Sequence, residues 1–397
     1  MIHICTKTHS KLSTVMVAFN AGSRTELSGG YNSGIAHMLE HCIFKGTNNR
    51  NWMDIQKQVG FLGADINAFT SHETVAYYIT VPYDNVEEAL KILADIVLNS
   101  TIPEEEFLKE KEVVKEEEIS RLDDVSSFIW NRYSNRFFDN YLAKPVIGTQ
   151  DSISSFSRDE VFSFYRENCS GSDAVVSICS SINKKDSKAL LRKYFGSPTG
   201  KISRGFEVNT SSYKDSDDLA VIRKGIEHTY VWMGYPGLVQ GSKENPATAL
   251  MMCILGSGMD SRLFTEVREK RGLAYSVGSN HNAWQGGGLS LITSSTREVN
   301  LGDMIKVIND EVSLIKSSPV TSEELQRAKN KVKAYFYSVV EDSYGMAYQN
   351  LKRKLHGIPS LEDYSKIISE VSVEDIMNSA NLVFDESKRL TLVCRGG

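Results

Sequence analysis

The chain has 397 residues, 41% of them hydrophobic and 24% charged, which is enough apolar material for two or three compact units and excludes a fibre or a disordered tail. Forty-five basic against fifty acidic side chains leave a formal charge of −5, so there is no basic field to hold a phosphate backbone and nucleic acid is not an expected partner. No apolar run approaches the ~18–20 residues of a membrane span, and the first residues carry neither a secretory nor a transit pattern, so a cytoplasmic protein off the membrane is expected.

In chain order, Val15–Ser23 (VMVAFNAGS) reads as a buried strand, and the turn formers Gly29-Gly-Tyr-Asn-Ser33 lead into a helix over 34–45. A second helix covers 54–59, and 64–82 alternates as two short strands joined by a turn. Residues 86–98 and 104–122 are strongly helical, without internal Gly or Pro. The stretch 196–217 is rich in Gly, Ser, Thr and Asp and lacks periodicity. It divides the chain into a first domain at 1–198, a linker at 199–217 and a second domain at 218–397.

Beyond the linker the same order returns: a strand at 230–234, helices at 245–255 and 261–270, alternating strands over 275–295, and helices at 301–315 and 321–340. An internal duplication follows, with an α+β fold of two homologous α/β domains. Aligning the shared Cys-Ile pairs of the two first helices puts Thr248, Met251 and Met252 where the first copy has His37, Glu40 and His41. Likewise Ala328 and Tyr335 stand opposite Glu110 and Glu117. The second copy keeps the apolar pattern and loses the polar set, so those groups serve chemistry rather than folding.

His37-Met-Leu-Glu-His41 puts two imidazoles at i and i+4 on one helix face with Glu40 beside them. This inverted H-x-x-E-H pattern suits one zinc ion, with Glu40 as the general base that deprotonates the activated water. The third ligand is sought in Glu104–Glu118, where most glutamates form a solvated face with interspersed lysines. Glu110 and Glu117 fall in the arc between Val113 and Val114 and are expected to be buried, which is costly for a carboxylate without a partner or metal. Glu117 is assigned as the third ligand and Glu110 as the group orienting the site, with Glu106 a weaker candidate. The six scattered cysteines read as structural thiols, and His3, His9, His228, His281 and His356 as core histidines.

These residues resemble the pitrilysin-like zinc metallopeptidases with the inverted HxxEH motif, the family of insulin-degrading enzyme and the mitochondrial processing peptidase β-subunit. The likeness is to its short two-domain bacterial-type members. It rests on Ala21-Gly-Ser-Arg-Thr-Glu26, on Gly34 to Thr47, and on Glu117 lying 76 residues beyond His41. It implies mixed, largely antiparallel sheets packed with helices and forming one half of a clamshell, with one Zn²⁺ per chain. Asn67-Ala-Phe-Thr-Ser71 resembles the family's substrate-binding edge strand, which makes Asn67, Ala68 and Phe69 substrate contacts. Arg268 and Tyr275 match the family's Arg and Tyr pair, which reaches substrate and oxyanion; by themselves they would read as a surface charge and a core aromatic.

The expected function is therefore a zinc-dependent endopeptidase cleaving short or unfolded peptides inside a closed chamber. The chamber would be made by a homodimer or by a heterodimer with a homologous subunit. The competing expectation is a noncatalytic scaffold or partner subunit of a processing-peptidase-like complex.

Overall fold

A computed structural model describes residues 1–169, 173–200, 213–214 and 218–397. The first half runs β1 (Ile2–Lys7), β2 (Leu12–Phe19), α1 (Ser23–Gly29), α2 (Ile35–Cys42), α3 (Trp52–Phe61), β3 (Asp65–Thr70), β4 (Val75–Pro82), α4 (Val86–Asn99), α5 (Glu104–Asp123), α6 (Val125–Phe137), α7 (Gln150–Ser155), α8 (Arg158–Asn168), β5 (Val175–Ser180) and α9 (Lys184–Phe195). The second runs β6 (Leu219–Arg223), β7 (Thr229–Gly237), α10 (Asn245–Gly256), a π-helical stretch Phe264–Glu269, β8 (Ala274–Trp284), β9 (Gly287–Thr296), α11 (Leu301–Ser317), α12 (Ser322–Glu341), α13 (Ser343–His356), α14 (Leu361–Glu370), α15 (Val373–Val383) and β10 (Leu390–Gly396).

The duplication is written in the sheets. Their strand orders are β1-β5-β2-β4-β3 and β6-β10-β7-β9-β8, the same topology twice. In each, the first strand pairs parallel with the last and every other pair is antiparallel. The α+β class and the two homologous domains of mixed, largely antiparallel sheet thus stand as expected.

The chain divides into two compact units that are not continuous stretches. One takes the described residues of Met1–Asn131, Tyr141–Glu207 and Phe336–Gly357; the other takes those of Arg132–Asn140, Val208–Tyr335 and Ile358–Gly397. In the first unit α13 lies against the sheet, its Ala347, Leu351 and Leu355 packed with Met16, Ala18, Ala76 and Val175. Asn350 Nδ2 donates to Thr6 Oγ1 at 3.0 Å and to Ser177 Oγ at 3.1 Å. That cover explains why β2 is buried along all but its first residue and reads as an unbroken apolar run rather than an alternating one. In the second unit the end of α6 plays the same part: Tyr133 donates to Leu390 O at 3.1 Å, and its ring lies over Gly234, where a Cβ would meet its hydroxyl oxygen at 2.0 Å. Most of the expected 199–217 linker lies outside the described residues.

Three local expectations are corrected. The strand expected at Val15–Ser23 spans Leu12–Phe19 instead, and Ser23 begins α1. The helix expected over 261–270 is mainly a π-helical stretch. His9 and His228 are exposed rather than in the core.

The core of the first unit fills the space between its sheet and the helices, with Ile35, Met38, Leu39 and Cys42 of α2 and Leu90, Leu93 and Val97 of α4 among its members. Burying that face of α2 leaves His37 and His41 for α5. The entry to α5 is fixed by an unusual residue: Ile102 is buried at φ 45, a left-handed conformation unfavourable for a β-branched side chain. Arg158 holds it by donating to Ile102 O at 2.8 Å and Thr101 O at 2.5 Å.

Candidate metal centre

The helix that carries the two histidines starts at a glycine for a reason. Gly34 has φ 99, and a Cβ there would lie 2.4 Å from Ile147 O, so no ordinary N-cap side chain can occupy the position. Glu26 of α1 does the capping from a distance. It is buried, and its Oε2 and Oε1 accept from Gly34 N at 3.1 Å and Ala36 N at 3.0 Å. A carboxyl at a helix N-terminus satisfies donors that have no partner within the helix.

From this fixed helix the Nε2 atoms of His37 and His41 lie 3.8 and 3.2 Å from Glu117 Oε2 of α5. One ligand atom from each of the three lies within 4.8 Å of the others, and the two rings are 4.8 Å apart. On its other side His41 Nδ1 bonds Glu110 Oε2 at 3.2 Å, and Lys45 Nζ reaches Glu110 Oε1 at 2.6 Å. The chain Lys45–Glu110–His41 directs Nε2 toward Glu117, as orienting carboxylates do for metal-bound imidazoles.

The electrostatics follow from the crowding. Burial, helped by the neighbouring His41, lowers the pKa of His37 and so favours the neutral ring, which has one nitrogen lone pair to offer. At His41 burial pulls down, but hydrogen bonds to Glu110 and Glu117 prevail and raise it. Glu110 is pushed up by burial and down, more strongly, by His41 and Lys45, so it stays ionised. Glu40 is raised, chiefly by burial, against the pull of a hydrogen bond from Thr70 Oγ1.

Not every residue sits as expected. Glu110 is buried, but the Glu117 side chain is 38% exposed. Val113 faces solvent, and the buried stripe of α5 is Phe107, Glu110, Val114 and Glu118. Glu106 pairs with Lys109 at 2.8 Å. Cys42 is turned into the core, its thiol pushed up to about 12 by burial. On β3, Ala68 N is taken by the Asn67 side chain at 2.8 Å, whereas Phe69 turns to the other face, its ring edge-on to Tyr348 at 5.6 Å.

In the second unit Arg268 and Tyr275 stand together, the guanidinium 5.0 Å from the Tyr275 ring and 4.7 Å from that of Phe264. Tyr275 is 77% exposed and no core aromatic. Sequence reasoning did not single out Lys45, Glu26 or Thr70. Each lies inside a stretch quoted for the resemblance, and Lys45 is one helical turn beyond His41, the one spacing signal available.

Residues 3–150 match the sequence profile of the insulinase family, peptidase family M16, and residues 155–332 that of the peptidase M16 inactive domain. A zinc protease of Rickettsia felis, itself uncharacterized, is 32% identical over 371 residues, 91% of this chain and 87% of the relative. This chain belongs to the insulinase family. A second uncharacterized zinc protease, from Rickettsia bellii, is 31% identical over 92% of this insulinase-family chain and 88% of its own length. The crystal structure of a protease from Helicobacter pylori superposes with a TM-score of 0.88 at 25% identity, covering 99% of this chain and 96% of that one. The inactive-domain profile falls largely on the half of the insulinase-family chain where Thr248, Met251 and Met252 replace the ionisable set.

Whether the site fits a metal can be asked of His37. It is buried, yet among the described residues neither ring nitrogen makes a hydrogen bond, and Nδ1 is wholly enclosed. A buried polar ring without a partner is costly. Its Nε2 faces a second imidazole nitrogen and a carboxylate, a donor set that suits zinc. The residues fit the ion.

Proposed function

We propose that this chain is a zinc-dependent endopeptidase acting on short or unfolded peptides, with one zinc held by His37, His41 and Glu117. The observation that carries the reading is the convergence of those three side chains beside Glu40, a half-buried carboxylate whose pKa is raised chiefly by desolvation. Zinc supplies Lewis-acid polarisation of the scissile carbonyl and activation of water at neutral pH. Three protein donors rather than four suit a catalytic ion. Glu40 takes the proton of the attacking water and passes it to the leaving amine, a task for which a carboxyl lifted by burial is suited. Glu110 keeps Nδ1 of His41 occupied, so that Nε2 remains the donor.

The open edge of β3 supports binding of an extended peptide as an added strand, with Asn67, Ala68 and Phe69 along it. The exposure of Tyr275 beside the half-buried Arg268 supports use of the pair on substrate and on the developing oxyanion. A homodimer, or a heterodimer with a homologous subunit, would supply that pair from a second chain and enclose a chamber that excludes folded proteins. Among the described residues no helix is long and apolar enough to cross a membrane. Free thiols at Cys5, Cys42, Cys179, Cys253 and Cys394 suit the reducing cytoplasm.

The test is Glu40→Gln in purified protein. It should retain zinc and lose roughly 10²–10⁴-fold in cleavage of a quenched peptide, the range of a general base. Cleavage at the wild-type rate would refute the assigned mechanism.

A further inference from the structure

The Glu40 carboxylate is held by one hydroxyl. Among the described residues it receives a single hydrogen bond, from Thr70 Oγ1 to Oε2 at 2.5 Å, and Oε1 makes none. Thr70 is the last residue of β3, paired with Val75 of β4. Alternate side chains of a strand share a face, so Thr70 projects with Ile66 and Ala68, both packed against the core that includes α2. Phe69 points the other way, toward Tyr348. The edge strand β3 thus carries, two residues apart, Ala68 and the hydroxyl that bonds Glu40.

A glutamate has three side-chain torsions, and a carboxylate with one free oxygen and no second anchor would sample several rotamers. A hydrogen bond to a charged oxygen is among the stronger kinds and outweighs that freedom. We propose that Thr70 is a positioning residue for peptide hydrolysis: its hydroxyl pins Oε2 of Glu40 and leaves Oε1 as the atom presented to the reacting water. The same strand that takes the peptide then also sets the base, so the register of the added strand and the direction of proton transfer are fixed by one element. This inference rests on the reading of Glu40 as the general base.

Valine has nearly the shape of threonine and no hydroxyl, which separates positioning from packing. In zinc-loaded protein, T70V should lower kcat roughly ten- to a hundredfold, the scale of a misplaced catalytic group, with KM, zinc content and thermal midpoint unchanged. T70S should recover most of kcat, and T70V should add nothing in the E40Q background. A readout independent of turnover is the crystal structure of each variant: the Glu40 carboxylate should leave its place in T70V and keep it in T70S. T70V with kcat within twofold of wild type, or T70S as impaired as T70V, would overturn the inference while leaving the endopeptidase reading intact. Wild-type protein that binds zinc but cleaves no peptide would overturn both.

Discussion

Glu110→Gln isolates the carboxylate behind His41, one of the three residues proposed to hold zinc. Glu110 accepts from His41 Nδ1 at 3.2 Å and from Lys45 at 2.6 Å, and its side chain is largely buried. The amide keeps the shape but removes the charge, leaves Lys45 with a weaker acceptor, and no longer fixes which nitrogen of His41 bears the proton. Orienting partners of this kind are worth about 10- to 100-fold in metal affinity, or ~1.4–2.8 kcal/mol. Lys45→Met, which spares the contact to His41, should lose less. The assay is competition for zinc with a chromophoric chelator at neutral pH, alongside the thermal midpoint of the metal-free forms to separate ligand geometry from folding. A Glu110→Gln protein that binds zinc within twofold of wild type would refute the argument that Glu110 orients His41.

Two further outcomes follow from the frame around the site. Gly34→Ala should cost ~2–5 kcal/mol in urea unfolding, because φ 99 and an oxygen 2.4 Å from the new Cβ add backbone strain to overpacking; a loss under about 1 kcal/mol would contradict the close approach. In the second unit His281 bonds Ser290 Oγ and Asn245 Oδ1, each at 2.9 Å, and burial lowers its pKa from 6.5 to about 4. The unfolded state therefore binds the proton first as pH falls. Its contribution is intact above about pH 6.5 and lost as pH drops through about 4, up to about 3 kcal/mol in all. His281→Asn should flatten that limb of the stability profile, and an unchanged slope between pH 6.5 and 4 would count against it.

How much was legible in the sequence depended on whether a feature is local. α4 and α5 show in their runs of helix formers without Gly or Pro, and the duplication shows because the second copy keeps its apolar spacing while Met251 and Met252 replace Glu40 and His41. The pairing of His37 with His41 was readable because the two lie four residues apart on one helix. What needed coordinates is tertiary. No periodicity says that α13 covers the first sheet and the end of α6 the second, or that β1 pairs parallel with a strand whose first residue is Val175. The α5 wheel also put Glu117 on the buried arc, whereas in the structure the buried glutamate of that turn is Glu118, whose Oε2 accepts from Gln150 Nε2 at 2.7 Å, and Glu117 is 38% exposed. Thr70 and Lys45 were hidden likewise, since a hydroxyl or an amine announces no partner.

The most direct measurement is metal analysis with X-ray absorption on protein purified without added metal, for wild type and for His37→Ala with Glu117→Ala. The account predicts one zinc per wild-type chain, bound by nitrogen and oxygen at about 2.0–2.1 Å, and none in the double variant. Wild-type protein without zinc, or zinc held by sulfur at about 2.3 Å, would contradict it.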